Sequence, residues 1–351
     1  MNIKVFQDYL KDDQAFFLRD PVNCRYATGF NGDDEAVLIT KDKCYIIVDF
    51  RYITDAKKYQ SDEIEVHMHE KNLEEYAKGL IKADIKQILI DDEYVTVSLF
   101  EYFKKYLGNY EYIRASNVID SFRMIKQDYE IESIRKAGKI SCDAFEYMLG
   151  FIKEGMSEVE IALELEFYMR KNQSEGIAFP IICVSGENSA LPHGTPTDRK
   201  IQKGDFLTMD FGAKVNGYCF DITRTVAVGY ATDEMKKVYD TVLLAQRKAL
   251  ENMKAGYNGA EIDAFARDVI AAAGYKDNFG HGLGHGVGMY IHERPRLSPS
   301  YKGVIKAGCV VTVEPGIYIE GKFGVRIEDS VLVTENGIEN LTSAKKELII
   351  I

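Results

Sequence analysis

The sequence predicts an α+β protein of two domains, a small α/β domain followed by a larger domain built from two related halves. The length of 351 residues suits two domains of ordinary size. Short apolar runs alternate with charged helical stretches over roughly the first 120 residues. Beyond that point, two sets of short motifs recur in the same order along the chain, which indicates an internal repeat.

The composition is that of an ordinary globular protein, with 46% hydrophobic and 28% charged residues. A net charge of −11 without a Lys/Arg-rich run argues against nucleic acid or an anionic membrane as a partner. No apolar stretch approaches the roughly 18 residues of a membrane span, and no signal-peptide core is present. Six scattered cysteines without a Cys-x-x-Cys pair favour buried thiols in a reducing compartment. We therefore expect a soluble, cytoplasmic protein.

Local patterns predict the elements of both domains. We expect the domain boundary near residue 121, giving residues 1–121 and 122–351. In the second domain, apolar residues recur at steps of three and four between Ile134 and Met148, and Gly155 is expected to end this long amphipathic helix. The other predicted elements are strands at 36–40, 44–50 and 87–90 and helices at 53–59, 71–81 and 158–171, the last opened by a Ser157–Glu160 capping box.

The repeat consists of two pairs of matching segments. Residues 153–161 (KEGMSEVEI) resemble 254–262 (KAGYNGAEI), each with a glycine, a Ser or Asn cap and a glutamate three residues after the cap. Residues 204–212 (GDFLTMDFG) match 308–316 (GCVVTVEPG). Each of these is followed by a second predicted strand that carries one acid, so each half presents two carboxylates.

In the first half, the two acids are Asp210 and Asp221. The dipeptide Asn216-Gly217 predicts a tight hairpin, in which Asp210 faces Thr223 and Asp221 lies diagonally from Asp210 on the same face. Two buried carboxylates on an apolar strand pair are costly unless a cation neutralises them. A metal ion would satisfy them, and so would a salt bridge with Arg224 or exposure of the strand to solvent.

The second half supplies Glu314 and Glu328 in the equivalent places. Between the halves lies a glycine-rich segment, 279–288 (FGHGLGHGVG), and three of the six histidines fall between residues 281 and 292. Four carboxylates and one imidazole suit two divalent ions, because the ligand charge of −4 balances +4. Oxygen ligands favour manganese, cobalt or iron, with zinc as a further possibility.

Residues 122–351 resemble the catalytic domain of the pita-bread metallopeptidases, the family of methionine aminopeptidase, prolidase and aminopeptidase P. The resemblance rests on five segments: 209–212 (MDFG), 220–224 (FDITR), 285–293 (HGVGMYIHE), 313–318 (VEPGIY) and 324–329 (GVRIED). It implies a pita-bread fold with a pseudo-twofold repeat. The implied metal ligands, all of the expected residue type, are Asp210, Asp221, His285, Glu314 and Glu328.

The same resemblance implies roles for other residues. His193, in 191–194 (LPHG), matches a histidine that lines the substrate pocket, and His292 matches one that stabilises the tetrahedral intermediate. Glu314 would transfer a proton from the attacking water to the leaving nitrogen. His281 is expected to be a loop residue beside the site, and Arg326 to hold the ligand carboxylates.

Segments 23–30 (NCRYATGF) and 48–52 (VDFRY) resemble the creatinase/prolidase N-terminal domain, which methionine aminopeptidases lack. Together, the two resemblances imply an enzyme with two divalent metal ions that hydrolyses the Xaa-Pro bond of peptides with proline second, and commonly a homodimer. Arg296 could read the free carboxylate of a dipeptide, as in a prolidase, whereas an aminopeptidase P needs an open end there. The alternatives are a creatinase-type C–N hydrolase and a non-catalytic peptide-binding relative.

Overall fold

The first 123 residues fold around one mixed sheet. The computed structural model describes residues 1–351, which separate into two units, Met1–Arg123 and Met124–Ile351. Helices in the first stretch are α1 (Ile3–Tyr9), α2 (Pro21–Thr28), α3 (Ile53–Ala56), α4 (Leu73–Leu80), α5 (Val97–Tyr106) and α6 (Ser116–Met124). Its strands are β1 (Gln14–Leu18), β2 (Ala36–Ile39), β3 (Cys44–Val48), β4 (Ile64–Met68), β5 (Gln87–Ile90) and β6 (Glu111–Arg114).

The six strands lie in the order β4-β3-β2-β1-β5-β6. Strand β2 is antiparallel to both of its neighbours, and the remaining pairs are parallel. Alternate residues of β1, including Ala15 and Phe17, point into a core that Ile47, Ile88 and Phe103 complete. The strands and helices expected in this region are present, although the strand expected at 44–50 ends at Val48 and the helix expected at 53–59 is α-helical only to Ala56.

The second unit contains four long helices and thirteen short strands. The helices are α7 (Asp128–Phe151), α8 (Glu158–Lys171), α9 (Asp233–Asn252) and α10 (Gly259–Ala272). The strands are β7 (Gly176–Ile177), β8 (Ile182–Ser185), β9 (Phe206–Phe211), β10 (Ala213–Val215), β11 (Tyr218–Cys219), β12 (Ile222–Ala227), β13 (Gly284–Gly286), β14 (Glu293–Leu297), β15 (Val310–Val313), β16 (Gly316–Ile319), β17 (Phe323–Arg326), β18 (Asp329–Val333) and β19 (Ile338–Asn340).

These elements form two similar halves. In the first half, helices α7 and α8 precede an antiparallel sheet ordered β12-β9-β8. In the second, helices α9 and α10 precede an antiparallel sheet ordered β14-β13-β15-β18-β19. A large apolar core around Val238, Ile262 and Val311 packs beneath the second half. The predicted α+β fold with an internal repeat is confirmed.

The helix starts agree with their sequence patterns. Ser157 and Glu160 form the expected capping box, and Asn258 and Glu261 form an equivalent one at the start of α10. The end of α7 was predicted less well, because the helix stops at Phe151, four residues before Gly155. Ile152 already has an extended backbone, so Gly155, at φ +86°, makes a turn beyond the helix.

All six cysteines are free and buried, as expected from their spacing. None of the ten helices is both long enough and apolar enough to cross a membrane.

Candidate metal centre and active site

Strands β9 and β12 bring Asp210 and Asp221 together. Asn216 (φ +52°) and Gly217 (φ +84°) occupy the two central positions of the hairpin turn, as a tight turn of the primed type requires. The resulting register pairs Asp210 with Thr223, which confirms the predicted alignment. Asp221 comes directly before β12, and both carboxylates are buried.

The second half positions Glu314 and Glu328 in a similar way. Val313 at the end of β15 pairs with Asp329 at the start of β18, and Gly316 pairs with Arg326. The same register therefore sets Glu314 opposite Glu328. The backbone N–H of Glu328 donates to the carbonyl of Thr223 at 3.1 Å, so the two halves are hydrogen-bonded to each other beside these acids.

His285 lies on β13 and points at the carboxylates. Its Nε2 is 3.3 Å from Glu314 Oε1 and 3.6 Å from Asp221 Oδ2. Its Nδ1 is 3.1 Å from the carbonyl of Gly286, which can accept a hydrogen bond from an Nδ1–H. That tautomer directs the lone pair of Nε2 toward the acids, the arrangement of a metal-ligating imidazole.

The electrostatics of this cluster are unfavourable without a cation. Burial raises the pKa of Asp221 and Glu328 well above the usual range, and neighbouring carboxylates raise both further. Burial also raises the pKa of Asp210, although Arg326 opposes the shift. Burial acts in the same direction on Glu314, but the nearby His285, His281 and Arg326 together outweigh it and lower that pKa to about 2.

The structure does not contain the salt bridge between Arg224 and the hairpin aspartates that the sequence left open. Arg224 does not pair with Asp210 or Asp221; it is buried and forms its ion pair with Asp329 at 2.8 Å. The strand does not face solvent either, since all residues of β12 are buried. Arg326 is the residue that contacts the acids, with Nη2 at 2.6 Å from Asp210 Oδ2.

The four acids, His285 and Arg326 line one cavity of about 350 Å³. His193, His292 and Arg296 have exposed side chains on its wall. The ring of His292 meets that of His285 edge to face, with centroids 4.4 Å apart. Partial burial of its ring and the neighbouring imidazole of His285 lower the pKa of His292 to about 4.

His281 lies beside the site. Its Nε2 is 3.0 Å from the hydroxyl of Tyr318, and Nη1 of Arg326 donates to the same hydroxyl at 2.9 Å. Burial lowers the pKa of His281. The hydroxyl of Tyr318 therefore links His281 to the arginine that holds Asp210.

The structure adds residues that sequence reasoning missed. Phe179, Ile182 and Ile291 give the cavity an apolar wall. Lys126 forms a fully buried ion pair with Glu293, the residue after His292, at 2.5 Å. Glu293 is adjacent to a histidine already singled out, which was a usable signal, whereas nothing local to Lys126 indicates a partner 167 residues away.

The donor set fits divalent metal ions. Asp210 Oδ1, Asp221 Oδ1 and Glu328 Oε1 are buried without a hydrogen-bonding partner. Ligand atoms of Asp221, His285 and Glu328 all lie within 4.8 Å of one another. Buried carboxylates with unsatisfied oxygens and a correctly oriented imidazole are typical of hydrolytic metal centres. The fold and the site together define the class of metal-dependent hydrolases.

Comparison with known proteins identifies the family. Residues 132–335 match the model of metallopeptidase family M24, and residues 3–125 match that of the creatinase/prolidase N-terminal domain. The chain belongs to metallopeptidase family M24. Its sequence is 38% identical to the Xaa-Pro dipeptidase of Pyrococcus horikoshii, over 99% of each chain.

Solved structures of Xaa-Pro peptidases resemble the chain over nearly its whole length. The Xaa-Pro dipeptidase from Bacillus anthracis superposes with a TM-score of 0.95 at 41% identity, over 99% of both chains. The X-Pro aminopeptidase from Thermotoga maritima superposes with a TM-score of 0.93 at 38% identity, over 98% of this chain and 99% of the other. The two-domain pita-bread fold implied by the sequence motifs is thereby confirmed, and the non-peptidase alternatives are not favoured.

Proposed function

We propose that this protein is a metal-dependent exopeptidase that hydrolyses the Xaa-Pro bond, either in dipeptides or at the N-terminus of longer peptides. The observation that carries the proposal is the convergence of four acids and four histidines on one cavity. Relatives named for Xaa-Pro hydrolysis cover nearly the whole chain, which supports this substrate class.

The substrate explains why a dedicated site is needed. The nitrogen of an Xaa-Pro bond belongs to a ring and carries no hydrogen. A peptidase that grips its substrate as an extended strand loses a hydrogen bond there, so positioning must come from other groups. The apolar wall formed by Phe179, Ile182 and Ile291 and the polar groups opposite it offer such positioning.

The proposed ligands of two divalent ions are Asp210, Asp221, His285, Glu314 and Glu328. Two divalent ions held by these residues would supply Lewis acidity, which would polarise the scissile carbonyl and make an attacking water more acidic. Glu314 accepts a proton from that water and delivers it to the proline nitrogen as the C–N bond breaks. His292 donates a hydrogen bond to the developing oxyanion, and His193 closes over the substrate.

We propose manganese as the metal, with cobalt, iron or zinc as alternatives. Four carboxylate ligands balance the charge of two divalent ions, and hard oxygen donors suit manganese. The buried, unsatisfied oxygens of Asp210, Asp221 and Glu328 support a cation at this position.

Arg296 is proposed to bind the carboxylate of the substrate's proline residue. Its side chain is exposed on the cavity wall, where a free carboxylate could reach it. A guanidinium binds a carboxylate in a bidentate manner, which would favour dipeptides over longer chains.

We further propose that residues 1–121 act as the creatinase/prolidase-like N-terminal domain and residues 122–351 as the catalytic domain. A cytoplasmic homodimer is the proposed working form. Six free, buried thiols fit a reducing compartment.

The test is hydrolysis of an Xaa-Pro dipeptide and of the matching Xaa-Pro tripeptide by chelator-treated protein, before and after manganese is added. Restored cleavage of the dipeptide alone supports a prolidase with Arg296 as the carboxylate-binding residue. Cleavage of the tripeptide supports an aminopeptidase P. Failure to cleave either peptide with any divalent metal contradicts the proposed function.

A further inference from the structure

Glu158 is a fully buried carboxylate at the first position of helix α8. Its Oε1 accepts hydrogen bonds from the backbone N–H of Ser185 at 2.7 Å, the hydroxyl of Ser185 at 2.8 Å and the side-chain amide of Asn188 at 3.3 Å. Its Oε2 accepts bonds from the backbone N–H of Thr197 at 2.9 Å and from the hydroxyl of Thr197 at 2.7 Å. One side chain therefore satisfies five donors.

These donors bracket a single loop. Ser185 ends β8, the strand that pairs with the Asp210 strand, and Thr197 closes the loop at its other end. Pro192 and His193, between them, contribute to the cavity wall. The imidazole of His193 is exposed, so the backbone of the loop sets its position.

Only a carboxylate suits this place. All five partners are donors, and an ionised carboxylate is the side chain that accepts without donating. Arg199, which lies close enough to donate to the hydroxyl of Ser185, forms its ion pair with Asp205 and not with Glu158. The charge of Glu158 is thus stabilised by hydrogen bonds and by its place at a helix N-terminus.

We propose that Glu158 is a positioning residue, which fixes residues 186–196 so that His193 faces the substrate. It touches no reacting atom and acts through the loop. The inference rests on the proposed function in one respect, since that function gives His193 its role at the substrate. The holding of the loop itself does not depend on any activity.

The experiment compares E158Q with E160Q. Glu160 lies half a turn further along the same helix, and its side chain is 58% exposed. Both variants replace a glutamate with glutamine, so they carry the same charge change, but only E158Q alters the buried carboxylate. Loss of a charge-assisted hydrogen bond should speed amide hydrogen exchange at Ser185 and Thr197 by about tenfold or more in E158Q. Exchange at these two amides in E160Q should match the parent protein.

Kinetics of the manganese-loaded protein on an Xaa-Pro dipeptide give the second measurement. E158Q should raise KM by about tenfold with a smaller change in kcat, because a displaced His193 weakens substrate binding more than it alters the chemical step. The metal content should not change. In a protein that already carries H193A, E158Q should change KM by less than about twofold, since the group it positions is gone.

A milder pair of variants guards against misfolding of E158Q. T197V removes one hydroxyl bond to Glu158, and T195V alters an exposed residue of the same loop. T197V should shift exchange in the same direction as E158Q, and T195V should not. Unchanged exchange in E158Q and T197V, or multiplicative effects of E158Q and H193A, would overturn the proposal. A parent protein without peptidase activity would contradict the proposed function, while the exchange results still decide whether Glu158 holds the loop.

Discussion

In the first half of the second unit, Ser157 caps the start of α8 and forms an isolated backbone bridge with Lys200. In the second half, Asn258 caps the start of α10 and forms a bridge with Val304. The residue that follows the cap differs. It is Glu158 in the first half, where it holds a loop with its side chain, and Gly259 in the second, where a Cβ atom would lie 2.2 Å from the carbonyl of Arg296. One backbone position therefore secures an active-site segment in each half, by a charge in one and by close backbone approach in the other.

The acids differ in a related way. Asp210 pairs with Thr223, so Asp221 lies two positions away from direct opposition, whereas Glu314 and Glu328 are directly opposite. The first half thus uses shorter side chains on offset positions and the second uses longer ones on facing positions. The two halves share a scaffold, but their acids are not interchangeable copies.

Removing one acid from each half is the strongest test of the comparison. We expect both Asp221→Ala and Glu328→Ala to abolish metal binding and to lower the rate of hydrolysis by more than about a hundredfold. Loss of a residue that only hydrogen-bonds to a metal ligand typically costs up to about a hundredfold, so loss of a ligand itself should cost more. Metal content after dialysis and the rate on an Xaa-Pro dipeptide measure this. Glu320→Ala, at an exposed position of the second half, is the control. Full metal content in either variant would contradict the ligand assignment.

The next test breaks a contact between the halves. Arg224 of the first half and Asp329 of the second form a buried ion pair, so Arg224→Met should lower the free energy of unfolding by about 3 kcal/mol or more. Urea titration measures the loss. Arg135→Met removes an ion pair whose side chains are more than 40% exposed, and it should cost under about 1 kcal/mol. A loss for Arg224→Met as small as that for Arg135→Met would contradict a stabilising role for the buried ion pair.

Gly212 and Gly316 are equivalent in the repeat and allow a comparison at one position. A Cβ atom at Gly212 would lie 1.7 Å from the backbone oxygen of Phe220, whereas at Gly316 it would meet only side-chain atoms of Tyr318, the hydroxyl being nearest at 2.5 Å. We expect Gly212→Ala to destabilise by about 3 kcal/mol and Gly316→Ala by about 1 kcal/mol. Thermal unfolding of both variants tests the difference, and a reversed order would contradict it.

The smallest expected effect concerns the first helix of each half. Gly150 lies in α7, and the equivalent position of α9 is Glu251, a good helix former. A Cβ atom at Gly150 would meet nothing within 4 Å. Gly150→Ala should therefore raise the free energy of unfolding by about 0.5 kcal/mol. A loss of stability in urea titration would show that this helix end depends on the glycine.

Short sequence motifs correctly predicted the features that depend on residues close together in the chain, namely a hairpin register and a helix start. The Asn216-Gly217 turn fixed the register of Asp210 against Thr223, and the Ser157–Glu160 pair marked the start of α8. Both are interactions within a few residues, which a single sequence displays directly. The repeat extended these local rules to the second half.

Long-range pairing could not be predicted in the same way. Arg224 was considered as a partner for the nearby aspartates, but it pairs with Asp329, 105 residues away. Glu158 resembles an ordinary acid at a helix N-terminus, yet its partners are 27 to 39 residues away. Such contacts depend on which chain segments the fold brings together, and the sequence pattern around each residue does not encode that.

The buried thiols offer a way to follow unfolding without an added label. Cys24 and Cys44 lie in the Met1–Arg123 unit, and the remaining four cysteines lie in Met124–Ile351. A thiol reagent can react with them only when the surrounding core opens. Peptide mapping of the modified protein would then show which unit opens first, and the modification rate at each cysteine would time that opening.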